Sequence, residues 1–141
     1  MIWKESYKVG VNLIDTQHEE LFRRVTDFVE TLRSTETGEE KSKKVSATLT
    51  FMQDYVVSHF RDEENYQRKI GYPGLEAHVQ VHLDMVEYVL SVSEQFEREG
   101  YHEQIMQQFA GKLLAWLINH VLVDDQKIAA YAREKGVSGN E

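Results

Sequence analysis

The chain of 141 residues contains a single proline, Pro73, so three long stretches are free to be helical from end to end. Within these stretches, apolar residues recur every three or four positions, which is the spacing of an amphipathic helix. The pattern predicts four helices, from about Gln17 to Ser34, from about Lys41 to Lys69, from near Pro73 to about Phe96, and from about Ile105 to Tyr131. Asp15 is the expected N-cap of the first helix. Helices of this length with short connections predict an all-α fold, an antiparallel up-down-up-down four-helix bundle.

The N-terminal segment follows a different pattern. Its apolar residues alternate like those of a strand at Tyr7, Val9, Val11 and Leu13, but nothing else in the sequence offers a partner strand. We therefore expect an extended arm over residues 1–14, followed by the bundle at 15–134 and a tail at 135–141, all within one domain. The charged run EEKSKK (39–44) is typical of a solvated helix start.

The charge balance disfavours anionic partners. Lysine and arginine total 16 against 24 acidic residues, which gives a formal net charge of -8. Because such a chain repels phosphate backbones and anionic lipid, we expect neither nucleic acid nor a membrane as a partner. No stretch approaches the ~20 apolar residues of a membrane span, and the N-terminus lacks a signal-peptide pattern. We therefore expect a cytoplasmic protein.

The histidines are the most unusual residues of the predicted interior. Five of the six lie on the inward rows of the helices, at least one on each helix: His18, His59, His78, His82 and His120. A single inward histidine is usually a hydrogen-bonded core residue, but five together would leave many buried ring atoms unpaired, at roughly 1–3 kcal/mol each. A metal satisfies such atoms together, and without cysteine its ligands must be nitrogen and oxygen. His102 lies in a predicted turn and is expected in solvent.

The spacing of these histidines supports a shared metal site. His78 and His82 are four positions apart in HVQVH (78–82), so their side chains share one helix face. His59 and Glu63 have the same spacing in HFRDE (59–63). In HVLVDD (120–125), ideal helix geometry favours Asp124 beside His120, whereas Asp125 is rotated further round the helix. Geometry alone leaves that choice open.

These motifs, in this order, resemble those of the hemerythrin family, and within it the single-domain bacterial hemerythrins. The family has a lone histidine on the first helix, then HxxxE, HxxxH and HxxxxD on the next three. This chain matches with His18, then His59 and Glu63, then His78 and His82, then His120 and Asp125. The opening IWKESYKVGVNLIDTQH (2–18) also resembles the family's N-terminal arm, so the resemblance covers nearly the whole chain.

The resemblance implies a non-haem di-iron centre that binds dioxygen. His78, His82 and His120 would ligate one iron, and His18 and His59 the other, which keeps an open position for oxygen. Glu63 and Asp125 would bridge the two irons beside a solvent-derived oxo or hydroxo group. The implied role is storage, delivery or sensing of oxygen.

The ligand pattern is also compatible with other functions and other metals. The same site would suit an enzyme that reduces peroxide or nitric oxide, or that oxidises iron. Ligand spacing does not select iron over zinc. A ferritin-like centre is disfavoured, because it requires more glutamates and two Glu-x-x-His motifs, whereas the one such string here, EGYH (99–102), falls at a helix junction.

Overall fold

The computed structural model describes residues 3–34 and 37–136, which form four long helices. Helix α1 comprises Asn12–Arg33 and α3 comprises Leu75–Glu99. Each of the other two contains a π-helical turn: α2 runs through Gly38–Phe51, Met52–Val56 and Val57–Ile70, and α4 through Glu103–Asn119, His120–Asp124 and Asp125–Glu134. The predicted all-α four-helix bundle is confirmed.

Side chains from all four helices meet in one apolar core. Helix α1 packs against α2 and α4, and α2 also packs against α3. The core residues recur at the predicted helical spacing, for example Leu21, Val25 and Phe28 on α1. Fully burying a side chain of this kind stabilises the fold by roughly 1.5–3 kcal/mol. Among the described helices, none is both long enough and apolar enough to cross a membrane.

The connection between α2 and α3 is fixed by a glycine. Gly71 adopts a left-handed conformation with φ of 68°, which residues with a Cβ rarely adopt. The next amide, that of Tyr72, donates to the Gln67 carbonyl at 2.9 Å and thereby ends α2. Helix α3 then begins at Leu75, two residues after Pro73. This sharp turn lets α3 return along α2.

The first helix begins at Asn12, so the prediction of a start near Gln17 with Asp15 as N-cap is wrong. Asp15 lies inside the first turn of α1, where its carboxylate accepts hydrogen bonds from the amides of Val9 at 2.7 Å and Gly10 at 3.2 Å. These are the amides of the chain just before the helix. Asp15 therefore fastens the N-terminal arm to the bundle.

The arm lies on the bundle as expected, but it is not extended throughout and ends before residue 14. It contains a short 3₁₀ turn at Glu5–Tyr7. The ring centroids of Trp3 and Tyr7 lie 5.4 and 5.5 Å from that of Phe22 on α1. Gln126 of α4 donates to the Tyr7 carbonyl at 2.9 Å. The arm therefore spans α1 and α4.

The start of α2 also differs from the prediction. The helix begins at Gly38, with the Thr37 hydroxyl accepting from the Glu40 amide at 3.2 Å as N-cap. The other charged residues of the run are exposed as expected, but Lys41 is buried. Its ammonium donates to the Leu32 carbonyl at 3.0 Å, close to the C-terminus of α1. A positive charge is favourable there because helix carbonyls end unpaired.

Candidate metal centre

The structure brings all seven predicted ligand side chains together in the middle of the bundle. Each of them is at most 6% exposed. Their nitrogen and oxygen atoms form two overlapping groups, and within each group these atoms lie no more than 4.8 Å apart. One group comprises His18, His59, Glu63, His120 and Asp125, and the other comprises Glu63, His78, His82 and His120.

Glu63 lies at the centre with one oxygen towards each side of the cluster. Its Oε1 is 2.9 Å from the Nε2 of His78 and 3.3 Å from that of His82. Its Oε2 is 3.2 Å from the Nε2 of His59 and 3.3 Å from that of His18. The Nε2 of His120 lies 3.4 Å from the same Oε2. The two oxygens of one carboxylate therefore serve two sets of histidines.

Asp125 divides its oxygens in a similar way. Its Oδ2 is 2.8 Å from the Nε2 of His18 and 3.0 Å from that of His120. Its Oδ1 is 3.3 Å from the Nε2 of His78. Both carboxylates thus span the cluster, whereas His120 belongs to both groups and the distances alone do not divide it between them.

A π-helical turn explains how Asp125 reaches the cluster. The turn covers His120–Asp124, and the Asp125 amide bonds to the carbonyl of His120, five residues earlier. The wider turn absorbs one extra residue, so Asp125 takes the place below His120 that Asp124 would have in an ideal helix. Asp124 is half-buried and belongs to neither group. Spacing alone left the choice between Asp124 and Asp125 open, and the π-helical turn places Asp125 at the cluster.

The donor set fits a metal centre better than a set of mutual hydrogen bonds. Although the distances are short, several buried atoms have no hydrogen-bond partner: Glu63 Oε1, both Asp125 oxygens, and Nε2 of His78 and His82. The Nε2 atoms of His59 and His120 also face each other at 3.3 Å. Inward lone pairs left unpaired in a buried site are costly, and cations that accept nitrogen and oxygen ligands relieve that cost.

The two carboxylates strongly bias the protonation of the histidines. Burial alone would lower the pKa of His18, but the adjacent Asp125 and Glu63 raise it to about 9. The same balance of burial against Asp125 and Glu63 raises the pKa of His78 to about 10. Burial dominates at His59 and lowers its pKa to about 4. In the absence of metal, His18 and His78 are therefore protonated, and their positive charges balance those of Glu63 and Asp125.

Three residues around the cluster were not predicted from the sequence. Gln17 Oε1 lies 2.8 Å from Nδ1 of His59, and Glu64 Oε2 lies 2.7 Å from Nδ1 of His82. The indole of Trp116 stacks on His120, with ring centroids 4.9 Å apart and planes 10° apart. The only available signal was that Gln17 and Glu64 directly adjoin ligand positions in the sequence.

The remaining histidine lies away from the cluster. His102 is exposed and precedes the first turn of α4, as expected for a solvated residue. Several large apolar side chains instead enclose the cluster. Phe60 stacks on His82 with ring centroids 3.8 Å apart, next to the indole of Trp116 on His120. The cluster side chains, each at most 6% exposed, are therefore largely shielded from water.

The bundle and its buried cluster define a helical protein with a centre able to hold metal through histidines and carboxylates. A family model described as "Hemerythrin HHE cation binding domain" matches residues 9–132. The chain therefore belongs to the hemerythrin family, as its motifs indicated.

Known proteins are similar over most of the chain. The bacteriohemerythrin of Stenotrophomonas maltophilia (strain R551-3) is 30% identical over 129 residues, which cover 92% of this chain and 79% of that protein. The bacteriohemerythrin of Pseudomonas paraeruginosa (strain DSM 24068 / PA7) is 28% identical over 125 residues, 89% of this chain and 76% of that protein. A crystal structure of wild-type hemerythrin matches with a TM-score of 0.75 and 26% identity, covering 92% of this chain and 95% of its own.

Metal loading should release protons, because a histidine must lose its ring proton before that nitrogen binds metal. With pKa values of about 9 and about 10, His18 and His78 both hold a proton at pH 7.5. Loading with Fe(II) at pH 7.5 should therefore release about two protons per chain from these rings, and the release should fall as the starting pH rises through 9–10. A pH indicator in weakly buffered anaerobic solution measures this. Loading without proton release at pH 7.5 would contradict the electrostatic description.

Proposed function

We propose that this protein binds dioxygen reversibly at a non-haem di-iron centre and serves to store, deliver or sense oxygen. The cofactor would be a pair of iron ions with a solvent-derived oxo or hydroxo bridge, and the two ferrous ions would supply the electrons needed to hold dioxygen. Membership of the hemerythrin family supports this proposal. The observation that carries it is the position of Glu63 and Asp125, each with one oxygen towards each side of the histidine cluster.

The ligand assignment follows the family pattern. His78, His82 and His120 would hold one iron, His18 and His59 would hold the other, and the two carboxylates would contact both. Its support is that His78 and His82 face one oxygen of Glu63, whereas His18 and His59 face the other. His120 faces the same oxygens of Glu63 and Asp125 as His18, so its assignment follows the family pattern alone. The side with two histidines has one protein ligand fewer. We assign dioxygen to that side.

The residue types suit reversible binding. A ligating imidazole is neutral, so the two carboxylates are the only anionic ligands that the protein supplies, and the net charge of a ferrous pair with this ligand set is small. Such a centre tolerates an apolar environment, and the rings of Phe60 and Trp116, stacked on His82 and His120, provide one. A ferritin-like centre has more glutamate ligands than this one. Because fewer anionic ligands stabilise high-valent iron less, this ligand set favours holding oxygen over activating it. Exclusion of water protects the bound state from hydrolytic side reactions.

The rival function is a di-iron enzyme that reduces peroxide or nitric oxide, or oxidises iron. It requires the same ligands, so kinetics must separate the two. Stopped-flow mixing of the diferrous protein with oxygen should give a spectral change that persists and reverses when oxygen is removed. Rapid decay of that signal with continuing oxygen consumption would favour the enzyme instead.

The histidines provide a matched pair of variants. His102→Ala should keep the full iron stoichiometry and the oxygen-dependent visible band, because His102 is exposed outside the cluster. His78→Ala should lose both, since its Nε2 lies 2.9 Å from Glu63 and 3.3 Å from Asp125. Iron per chain and the visible spectrum measure the difference. Equal damage in the two variants would mean that the ligand assignment is wrong.

A further inference from the structure

The outer ring nitrogens of two cluster histidines contact groups of different charge. The Nδ1 of His82 lies 2.7 Å from Oε2 of Glu64, a carboxylate whose side chain is 17% exposed. The Nδ1 of His59 lies 2.8 Å from Oε1 of Gln17, a neutral amide. By contrast, the buried Nδ1 atoms of His18 and His120 have no hydrogen-bond partner among the described residues. The two sides of the cluster therefore differ in their outer contacts.

The direction of each hydrogen bond follows from the partner. A carboxylate only accepts, so His82 Nδ1 must donate to Glu64, which leaves the lone pair on Nε2. At His59 the amide is oriented by Asp62, because Gln17 Nε2 donates to Asp62 Oδ2 at 2.9 Å. The amide oxygen then faces His59, whose Nδ1 must donate. Both rings therefore present an Nε2 lone pair towards Glu63.

We propose that Glu64 is a positioning residue that adds an electronic difference between the two metal positions, by hydrogen-bonding His82 with a carboxylate where Gln17 offers His59 a neutral oxygen. This inference rests on the proposed di-iron function. It adds to that function a difference in the outer contacts of the ligands, beside the unequal number of histidines on the two sides.

The physical consequence follows from the charge. A carboxylate that accepts from the outer nitrogen of an imidazole raises the basicity of the inner nitrogen and fixes the ring orientation. The charge of Glu64 is only partly compensated, since its other oxygen lies 3.9 Å from the guanidinium of Arg68. His82 would therefore hold an iron more tightly and favour its oxidised form, whereas His59 would favour the ferrous form.

The central variant is Glu64→Gln, which keeps the size of the side chain and its oxygen acceptor but removes the charge. For one of the two metal equivalents, it should weaken Fe(II) binding 10–100-fold, the usual effect of losing such an outer partner. The reduction midpoint of the iron-loaded protein should rise. Glu87→Gln on the exposed face of α3 is the charge-matched control and should change neither quantity. Anaerobic titration against a competing chelator and spectroelectrochemistry provide the measurements.

A second variant moves the charge to the other side. Gln17→Glu combined with Asp62→Asn preserves the total charge and allows the same hydrogen-bond chain, with residue 62 now donating. It should lower the reduction midpoint and tighten Fe(II) binding at the His59 side. The reduction midpoint should thus rise in Glu64→Gln and fall in the double variant. If these contacts had only a structural role, the two variants would not shift it in opposite directions.

The outcomes separate this inference from the proposed function. If the wild-type protein binds two irons but Glu64→Gln, folded by circular dichroism, leaves both affinities and the midpoint unchanged, the role of Glu64 is wrong and the di-iron function stands. If the wild-type protein takes up no iron, the proposed function itself fails. Loss of helical structure in Glu64→Gln, where Glu87→Gln stays folded, would contradict the electronic role in favour of a structural one.

Discussion

Replacing Asp125 with alanine should weaken iron binding by an order of magnitude or more and abolish the stable oxygen-dependent band. The variant removes both oxygens that lie 2.8–3.3 Å from the Nε2 atoms of His18, His120 and His78. It also leaves His18 without its closest carboxylate. Losing a residue that hydrogen-bonds a metal ligand typically weakens metal affinity 10–100-fold. Losing a proposed direct ligand such as Asp125 should therefore weaken it at least as much. Iron per chain and the visible spectrum measure the effect.

The neighbouring Asp124→Ala is the control for this prediction. Asp124 is half-buried and outside both metal-binding groups, because the π-helical turn at His120–Asp124 brings Asp125 inward instead. Its removal changes the net charge by the same amount as removal of Asp125. Iron content and the oxygen-dependent band should stay near those of the wild-type protein. Loss of the site in Asp124→Ala, with Asp125→Ala intact, would overturn the assignment.

Removing the metal should strongly lower thermal stability. The seven ligand side chains are buried, and without metal several of their atoms have no hydrogen-bond partner. A ligand at 1,000 times its dissociation constant stabilises the folded state by about 4 kcal/mol, so two sites contribute about 8 kcal/mol. At roughly 3 °C per kcal/mol for a chain of this size, the melting temperature should fall by about 24 °C on removal of iron.

Differential scanning calorimetry of the iron-loaded and chelated protein measures this difference. His78→Ala is the matched control: it should show a much smaller shift, because it is expected to hold less iron. An equal melting temperature with and without two bound irons would mean that the cluster is not part of the folding core. Such a result would also contradict the description of the metal as the centre of the bundle.

The four helices and the inward positions of the histidines were predictable because both follow from residue spacing. A proline-poor chain with apolar residues every three or four positions has few alternatives to a helical bundle, and His78 with His82 occupies one of its seams. Asp125 was different. Ideal spacing favours Asp124, and the preference for Asp125 came from the family motif and from the sideways offset that a bridging carboxylate needs, because spacing alone does not reveal a π-helical turn.

The errors concern side chains whose partners are distant in sequence or on the adjoining turn. Asp15 has the residue type of an N-cap but binds the amides of Val9 and Gly10 from inside α1. Lys41 lies in a charged run, yet its ammonium reaches the Leu32 carbonyl. The role of Glu64 was not predicted, because it depends on α3 placing His82 Nδ1 2.7 Å from the Glu64 carboxylate. Propensity predicts the element, whereas tertiary contacts decide what such polar groups do.

An oxygen-binding equilibrium on the anaerobically iron-loaded protein, with iron and oxygen counted in the same sample, tests the central claim most directly. The proposed function predicts two irons per chain and one dioxygen bound per iron pair, and the two metal-ligand groups that share Glu63 and His120 support the number of irons. The oxygen-dependent band should disappear under argon and return to the same amplitude over repeated cycles. Continuous oxygen consumption without a recoverable band, or a chain that holds no iron pair when fully loaded, would contradict reversible dioxygen binding at a di-iron centre.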